Sequence, residues 1–197
     1  MKSPECERIP QTRFDLEGWL AAYLENVTEQ WLLVAPRANP AMLEMFRDRD
    51  CSPYRQLVPW AGEFAGKYLT SAVQVLRVTG DLRLRAFLED FVPRLISLQA
   101  DDGYLGPWPE AQRLTNFDPL QQEKGMITWD TWGHYHVMLG LLLWYEETGD
   151  DRALLAAVRI ADLLCDKYYG PVARRLVDTG QTEICLLYTS PSPRDRS

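Results

Sequence analysis

The sequence predicts an all-α chain built from repeated helical hairpins, and three observations predict it. A Thr-Gly-Asp corner occurs twice, at Thr79-Gly80-Asp81 and Thr148-Gly149-Asp150, 69 residues apart, with Arg83 and Arg152 following at the same interval. Gly at such a corner takes the left-handed position that ends one helix, and Asp caps the next. Before the second corner the chain is apolar almost all round, through Val137, Met138, Leu139, Leu141, Leu142, Leu143 and Trp144. Such a helix is expected to be buried on most of its circumference. After each corner the apolar residues form one stripe: Leu84, Leu88, Phe91, Leu95 and Leu98, then Leu154, Val158, Ala161 and Cys165. That is the pattern of a half-buried outer helix. A helix pair cannot bury its own apolar face alone, so repeated pairs imply stacking. An open solenoid and a closed α/α toroid both fit, and the apolar coat of the second inner helix favours the toroid.

Taken in order, the 197 residues open on a polar leader, Met1-Lys2-Ser3-Pro4-Glu5, without an apolar core. No signal peptide is read there, and a cytoplasmic location is expected. Phe14 to Val34 is predicted as a first helix, with Trp19, Leu20, Tyr23, Val27, Trp31 and Val34 on a helical period. Pro36 and Pro40 bracket a break, Ala41 to Phe46 makes a short helix, and a loop runs through Pro53 to Pro59. The first hairpin spans Trp60 to Leu98, with a kink or restart expected at Pro93 because an interior proline costs about 3 kcal/mol. Gln99 to Thr128 is a loop rich in Gly and Pro. Loops that long inside a compact domain are usually functional or disordered, and Tyr104, Trp108 and Phe117 argue for order. It delivers the chain to the second hairpin at Trp129. A polar connector follows Tyr168-Tyr169-Gly170-Pro171, and a third unit is due beyond it.

The last stretch reads differently. Cys185 to Asp195 is CLLYTSPSPRD, the in-frame translation of a transposase adapter used in preparing DNA libraries. Residues 185–197 are therefore expected to be an adapter-derived tail, and 1–184 the truncated N-terminal part of a larger domain. Three other cysteines, Cys6, Cys51 and Cys165, match neither a disulfide framework nor a CxxC metal site. Cys165 reads as a small buried hydrophobe.

Composition excludes some partners. The net charge is −7 with no basic run, which speaks against nucleic acid. No apolar run reaches the ~18 residues of a membrane span. Hydrophobic content of 46% and seven Trp argue for a sizeable core.

Polar and aromatic groups gather at Trp60, Glu63 and Lys67, and again from Asp101 to His136. Superposing the hairpins puts both clusters toward the start of an inner helix, where in a toroid they face one cavity. The candidate binding residues are Trp60, Glu63, Asp102, Tyr104, Trp129, Asp130, His134 and His136. Carboxylates and imidazoles take the hydrogen bonds of sugar hydroxyls, and Trp and Tyr rings take C–H faces. Glu63 has Ala61, Gly62, Ala65 and Gly66 around it, which reads as open space beside a carboxylate. An ordinary i, i+4 pair with Lys67 is the alternative. Asp102-Gly103-Tyr104 is a turn in its own right. His134 and His136 diverge by about 200° on a helix and cannot grip one metal together. No HExxH, P-loop, GxGxxG or nucleophile elbow occurs, so a cavity wall is expected without catalytic residues or metal ligands.

The motifs WAGEFAGKYL, SLQADDGYLG and WDTWGHYHVMLGLLLWYEETGDDRALLAAVRIAD together resemble the N-terminal part of glycoside hydrolase family 127, the β-L-arabinofuranosidase-like enzymes. The resemblance covers Trp60 to about Gly180, with a weaker likeness from Gly18 onward. It implies a partial (α/α)6 toroid, the first part of a catalytic barrel followed by β-sandwich domains. It also implies exo-acting, retaining hydrolysis of terminal arabinofuranosides, with carbohydrate as partner together with the missing half of the same domain. In that family a zinc-bound cysteine thiolate is the nucleophile and a glutamate the acid/base. Both lie in the later part, and Cys6, Cys51 and Cys165 do not match the motif. No cofactor is thus expected in this chain, with zinc implied for the longer parent. His136 aligns, by its distance to Thr148-Gly149-Asp150, with a substrate-contacting histidine, although DTWGHYH departs from the usual ELYxxGH lead-in. Alternatives are another sugar-active toroid, of the unsaturated uronyl hydrolase or sugar 2-epimerase type, and a non-catalytic helical scaffold. The long aromatic loop speaks against the scaffold.

Overall fold

A computed structural model describes residues 14–115 and 128–169. The expectations for the leader, Cys6, Phe117, the connector after Tyr169 and the 185–197 tail lie outside the described residues. Helices α1 (Gly18–Val27), α2 (Ala35–Ala38) and α3 (Ala41–Arg47) lead in, with a π-helical turn, Thr28–Leu32, between the first two. The first hairpin is α4 (Glu63–Thr79) and α5 (Leu82–Ile96); the second is α6 (Asp130–Thr148) and α7 (Asp151–Tyr169).

The two corners are built on one pattern. Gly80 and Gly149 adopt φ of 65° and 72°, a conformation that a Cβ would disfavour. Each donates its N–H to a carbonyl four residues back, Leu76 and Tyr145, at 2.7 Å. The Thr79 and Thr148 hydroxyls bond the Val75 and Trp144 carbonyls at 2.8 Å. The Asp81 carboxylate caps α5 by accepting from the Arg83 and Leu84 N–H groups at 2.7 and 3.1 Å. Asp150 accepts from Arg152 N–H at 3.1 Å. Each aspartate also takes its arginine's guanidinium at 2.8 Å. Those guanidiniums hold both carboxyls below the usual carboxylate range.

The hairpins lie side by side in two layers, α4 and α6 inside, α5 and α7 outside. The inner pair is parallel and joined along a glycine seam. Gly62 faces Gly133, Gly66 faces the backbone of His136 and Val137, and Gly140 faces Gly66 and Leu69. A Cβ on Gly66 would stand 2.2 Å from the His136 carbonyl carbon, so only glycine permits this approach. The space beside Glu63 is therefore not open: α6 fills it. Between the layers, Leu69, Val73 and Leu76 meet Leu84, Leu88, Phe91 and Leu95, then Leu141, Trp144, Ile160 and Leu164. Burial of such side chains contributes about 1.5–3 kcal/mol each. Arg77 ties the corner ends together, donating to the Leu143 carbonyl at 2.8 Å and to Glu146 at 2.9 Å.

Four expectations need correction. α5 runs unbroken through Pro93. The proline forfeits one helical bond three residues from the helix end, and the buried stripe on either side holds the helix through it. α1 is shorter than expected and leaves its apolar residues outside, with Trp19 80% and Tyr23 60% exposed. The chain docks instead through the π-helical turn, where the buried Tyr68 hydroxyl donates to the Leu32 carbonyl at 2.8 Å. On α7 the buried stripe is Ala153, Ala156, Ala157, Ile160 and Leu164, whereas Leu154, Val158, Ala161 and Cys165 are only partly covered. The three alanines allow close approach, which sets the helix's rotation. α6, finally, is buried against α4 and α7 but leaves Trp132, Tyr135, His136, Leu139 and Leu142 partly open. Among the described residues no helix is long and apolar enough to cross a membrane.

Candidate functional site

The two inner helices start together. The Trp129 N–H donates to the Pro59 carbonyl at 2.8 Å, and the parallel seam then brings repeat-equivalent residues into contact. Trp60 meets Trp129 with ring centroids 5.7 Å apart. The Trp132 indole N–H donates to Glu63 Oε2, its equivalent 69 residues away. Lys67 stands at the same interval from His136, its ammonium 2.8 Å from Glu63 Oε2 and 5.5 Å from the Trp132 ring centre. The His136 ring lies edge-on to Trp132 at 4.6 Å and to Tyr135 at 4.9 Å. Trp132 and Tyr135 stack at 5.8 Å.

The electrostatics of this face follow from that packing. Both donors to the Glu63 carboxylate fall on Oε2, so Oε1 keeps its lone pairs free among the described residues. The carboxylate's 10% exposure makes an added hydrogen bond stronger than on an open surface. Burial, and then the Lys67 ammonium, push the His136 pKa down, with Glu63 opposing. The imidazole is thus neutral near pH 7, with one donor and one acceptor nitrogen. Its Nε2 is enclosed and has no hydrogen-bond partner. An unpaired buried polar atom of this kind costs about 1–3 kcal/mol and calls for a reason.

The eight residues predicted from sequence separate into three places. Trp60, Glu63, Trp129 and His136 share the face just described. Tyr104, Asp130 and His134 do not: they are enclosed and spend their polar atoms on one another. The Tyr104 hydroxyl donates to the Asp130 carboxylate at 3.0 Å and accepts from the Trp108 N–H at 3.2 Å. Leu114 N–H also reaches Asp130, at 2.8 Å. His134 Nε2 accepts from Leu105 N–H at 3.2 Å, so its proton sits on Nδ1, which donates to the Asp130 carbonyl at 2.8 Å. Arg113 and Arg49 lie 4.7 and 5.7 Å over the Tyr104 ring. Together these groups clamp the loop 99–115 onto the start of α6. Asp102 is elsewhere again. It caps its own turn through Tyr104 N–H at 2.9 Å and pairs with Arg113 at 3.2 Å. That turn rests on outer helix α7, where Arg159 donates to the Ala100 and Asp101 carbonyls at 2.9 and 3.0 Å.

Sequence reasoning left out Trp132, Lys67 and Tyr135 as site members. The signal was available for two of them, because Trp132 and Lys67 are the repeat equivalents of Glu63 and His136. For the zinc and thiolate that the resemblance implies, the described residues do not fit. Cys51 is exposed on a loop and Cys165 sits on the outer helix. Among the described residues no three His, Cys, Asp or Glu groups are arranged to hold a metal.

Paired helical hairpins stacked in two layers define an all-α, α/α-hairpin protein. The chain belongs to the family described as Beta-L-arabinofuranosidase, GH127 catalytic domain, whose model matches residues 19–185. Among solved structures it is similar to BT3674, a GH127 beta-arabinofuranosidase, with a TM-score of 0.66 and 16% identity over 88% of this chain and 30% of that one. It is also similar to Ara127N-Se, a GH127 beta-L-arabinofuranosidase from Geobacillus stearothermophilus T6, with a TM-score of 0.60 and 16% identity over 78% of this chain and 25% of that one. At that identity the likeness shows the fold, and the chain spans between a quarter and a third of these proteins. No curated protein matches.

Proposed function

We propose that this chain forms the N-terminal wall of the sugar site in a glycoside hydrolase that removes terminal β-L-arabinofuranosyl units. The convergence of Glu63, Trp132 and His136 on one face of two parallel helices carries the reading. Glu63 Oε1 accepts from one sugar hydroxyl, oriented by the Trp132 indole and Lys67 on the other oxygen. His136, neutral and packed edge-on against Trp132, holds the indole in place beside that carboxylate. Trp60 and Trp129 offer flat surfaces to the C–H faces. None of these groups is assigned to bond cleavage. A zinc-bound thiolate would supply the nucleophile from the later part of the domain, as the family resemblance implies, and the remaining hairpins would close the ring.

The test is a genomic clone whose frame continues past Ile184. Its product should hydrolyse p-nitrophenyl β-L-arabinofuranoside in preference to the α-anomer and to unsaturated glucuronides. His136→Ala and Glu63→Gln should each lower kcat/KM by about 10–100-fold, the loss of one or two charge-assisted or buried hydrogen bonds. Unchanged kcat/KM in both variants, or preference for an unsaturated uronide, would end this reading.

A further inference from the structure

A groove of about 410 Å³ opens between α2 and α5, remote in sequence and element from the α4–α6 cluster. Three guanidinium groups, Arg37, Arg83 and Arg94, line it against a single carboxylate, Asp90. Arg83 is engaged by Asp81 and Glu29 at 2.8 and 2.7 Å, and Arg94 by Asp90 at 3.2 Å. Arg37 differs from both. Its guanidinium lies 5.0 Å over the Phe87 ring, and it has no carboxylate partner among the described residues. A guanidinium steadied on an aromatic face, with its N–H fork free, is arranged for bidentate capture of a planar carboxylate. Leu33 and Pro36 beside it provide an apolar floor, suited to the C–H face of a ring. The volume falls within the ~300–1,000 Å³ of small-molecule sites.

We propose that this groove binds a carboxylate-bearing sugar, a uronate, with Arg37 holding the carboxylate and Pro36 and Leu33 beneath the ring. The choice of a saccharide over an acidic peptide rests on the family, whose members handle glycosides. It does not rest on the arabinofuranoside reading or on the α4–α6 residues. Arg83 lies about one turn before Phe87 and Arg94 about two turns after it, on the same face of α5. Both are engaged by Asp81, Glu29 and Asp90, which leaves Arg37 as the guanidinium with a free fork.

The experiment is calorimetric titration of the 197-residue chain with trigalacturonate and with its fully methyl-esterified form, which keeps the rings and loses the charges. Trigalacturonate should bind at least about tenfold tighter, as expected for charge-assisted hydrogen bonds. Arg37→Ala should weaken it about tenfold, and Arg37→Lys should also weaken it, because an ammonium cannot make the paired contact. Trp132→Ala should leave it unchanged, which separates this groove from the inner-helix face. Equal binding of the ester, full affinity in Arg37→Ala, loss of affinity in Trp132→Ala, or tighter binding of a hexaglutamate peptide would each overturn the proposal.

Discussion

Replacing Gly66 with alanine tests the seam on which the site depends. In a bare helix the change should help, since alanine is favoured over glycine by about 0.8–1 kcal/mol. Here the new Cβ would stand 2.2 Å from His136 C, 2.4 Å from Val137 N and 2.5 Å from His136 O. All three are backbone atoms of a packed helix, so no side chain can rotate away. To regain an ordinary contact of 3.4 Å, α4 and α6 must part by about 1.2 Å. A gap near 1 Å forfeits a quarter to a half of the dispersion attraction along the facing atoms. Overpacking typically costs about 1–3 kcal/mol, and rigid backbone on the far side puts this case at the upper end. Net of the propensity gain, a destabilisation of about 2 kcal/mol is expected, a fall in Tm of roughly 4–8 °C for a domain of this size. Urea denaturation followed by circular dichroism should show the midpoint drop at unchanged slope. Gly140→Ala, whose Cβ would meet atoms no nearer than 3.1 Å, should lose clearly less. If Gly66→Ala proves as stable as the parent, the seam is looser than described and the placement of His136 against Trp132 loses its basis.

Two further outcomes follow from the same geometry. Lys67→Met should raise the His136 pKa, since it removes one of the two causes that lower it and leaves the Glu63 charge that raises it. With only two histidines in the chain, the imidazole C–H signals in an NMR titration report this directly, and an unchanged or lower value would contradict the arrangement. The sign carries into stability. A His136 held below its ordinary 6.5 when folded means that the unfolded chain takes up the proton first as pH falls. Stability is then lost downward from about 6.5 to the folded value, and the variant should narrow that window. Asp130→Ala should cost about 3 kcal/mol, because the buried Tyr104 hydroxyl and Leu114 N–H both lose their acceptor at about 1–3 kcal/mol each. Faster amide exchange at Leu114 than at Leu88 should accompany it. Exchange that quickens equally at both would mean that Asp130 supports the whole fold rather than clamping the loop.

The corners were legible because three residues carry their whole chemistry: a glycine for the left-handed turn, an aspartate for the cap, a threonine for the carbonyl behind it. The pairing of α4 with α6 was legible in the 69-residue interval. Which polar groups face the mouth was harder to read. α6 is apolar almost all round, so its pattern does not fix which side turns inward, and Asp130 and His134 look the same in sequence whether they meet a ligand or a tyrosine. Tyr104 lies 26 residues from the aspartate it bonds, a distance no local pattern spans. Gly62 and Gly66 marked a place of close approach, but a missing side chain does not say whether a ligand or a neighbouring helix comes near. The arginine groove escaped notice because Arg37 and Phe87 belong to separate helices and meet only once the π-helical turn has set the path of the chain.

The joints of this protein and the face proposed to meet sugar sit at opposite poles of the same rods. Helix α4 has 17 residues, about 25 Å of length, with Glu63 at one extremity and the glycine corner at the other. Changes that far apart combine nearly additively. A lineage could therefore exchange indoles, acids and imidazoles at one pole to suit a new glycoside while the fastening of each rod to the next stays untouched. The tolerance has a boundary, set where the two rods touch backbone to backbone: beyond it, altering taste also loosens the frame.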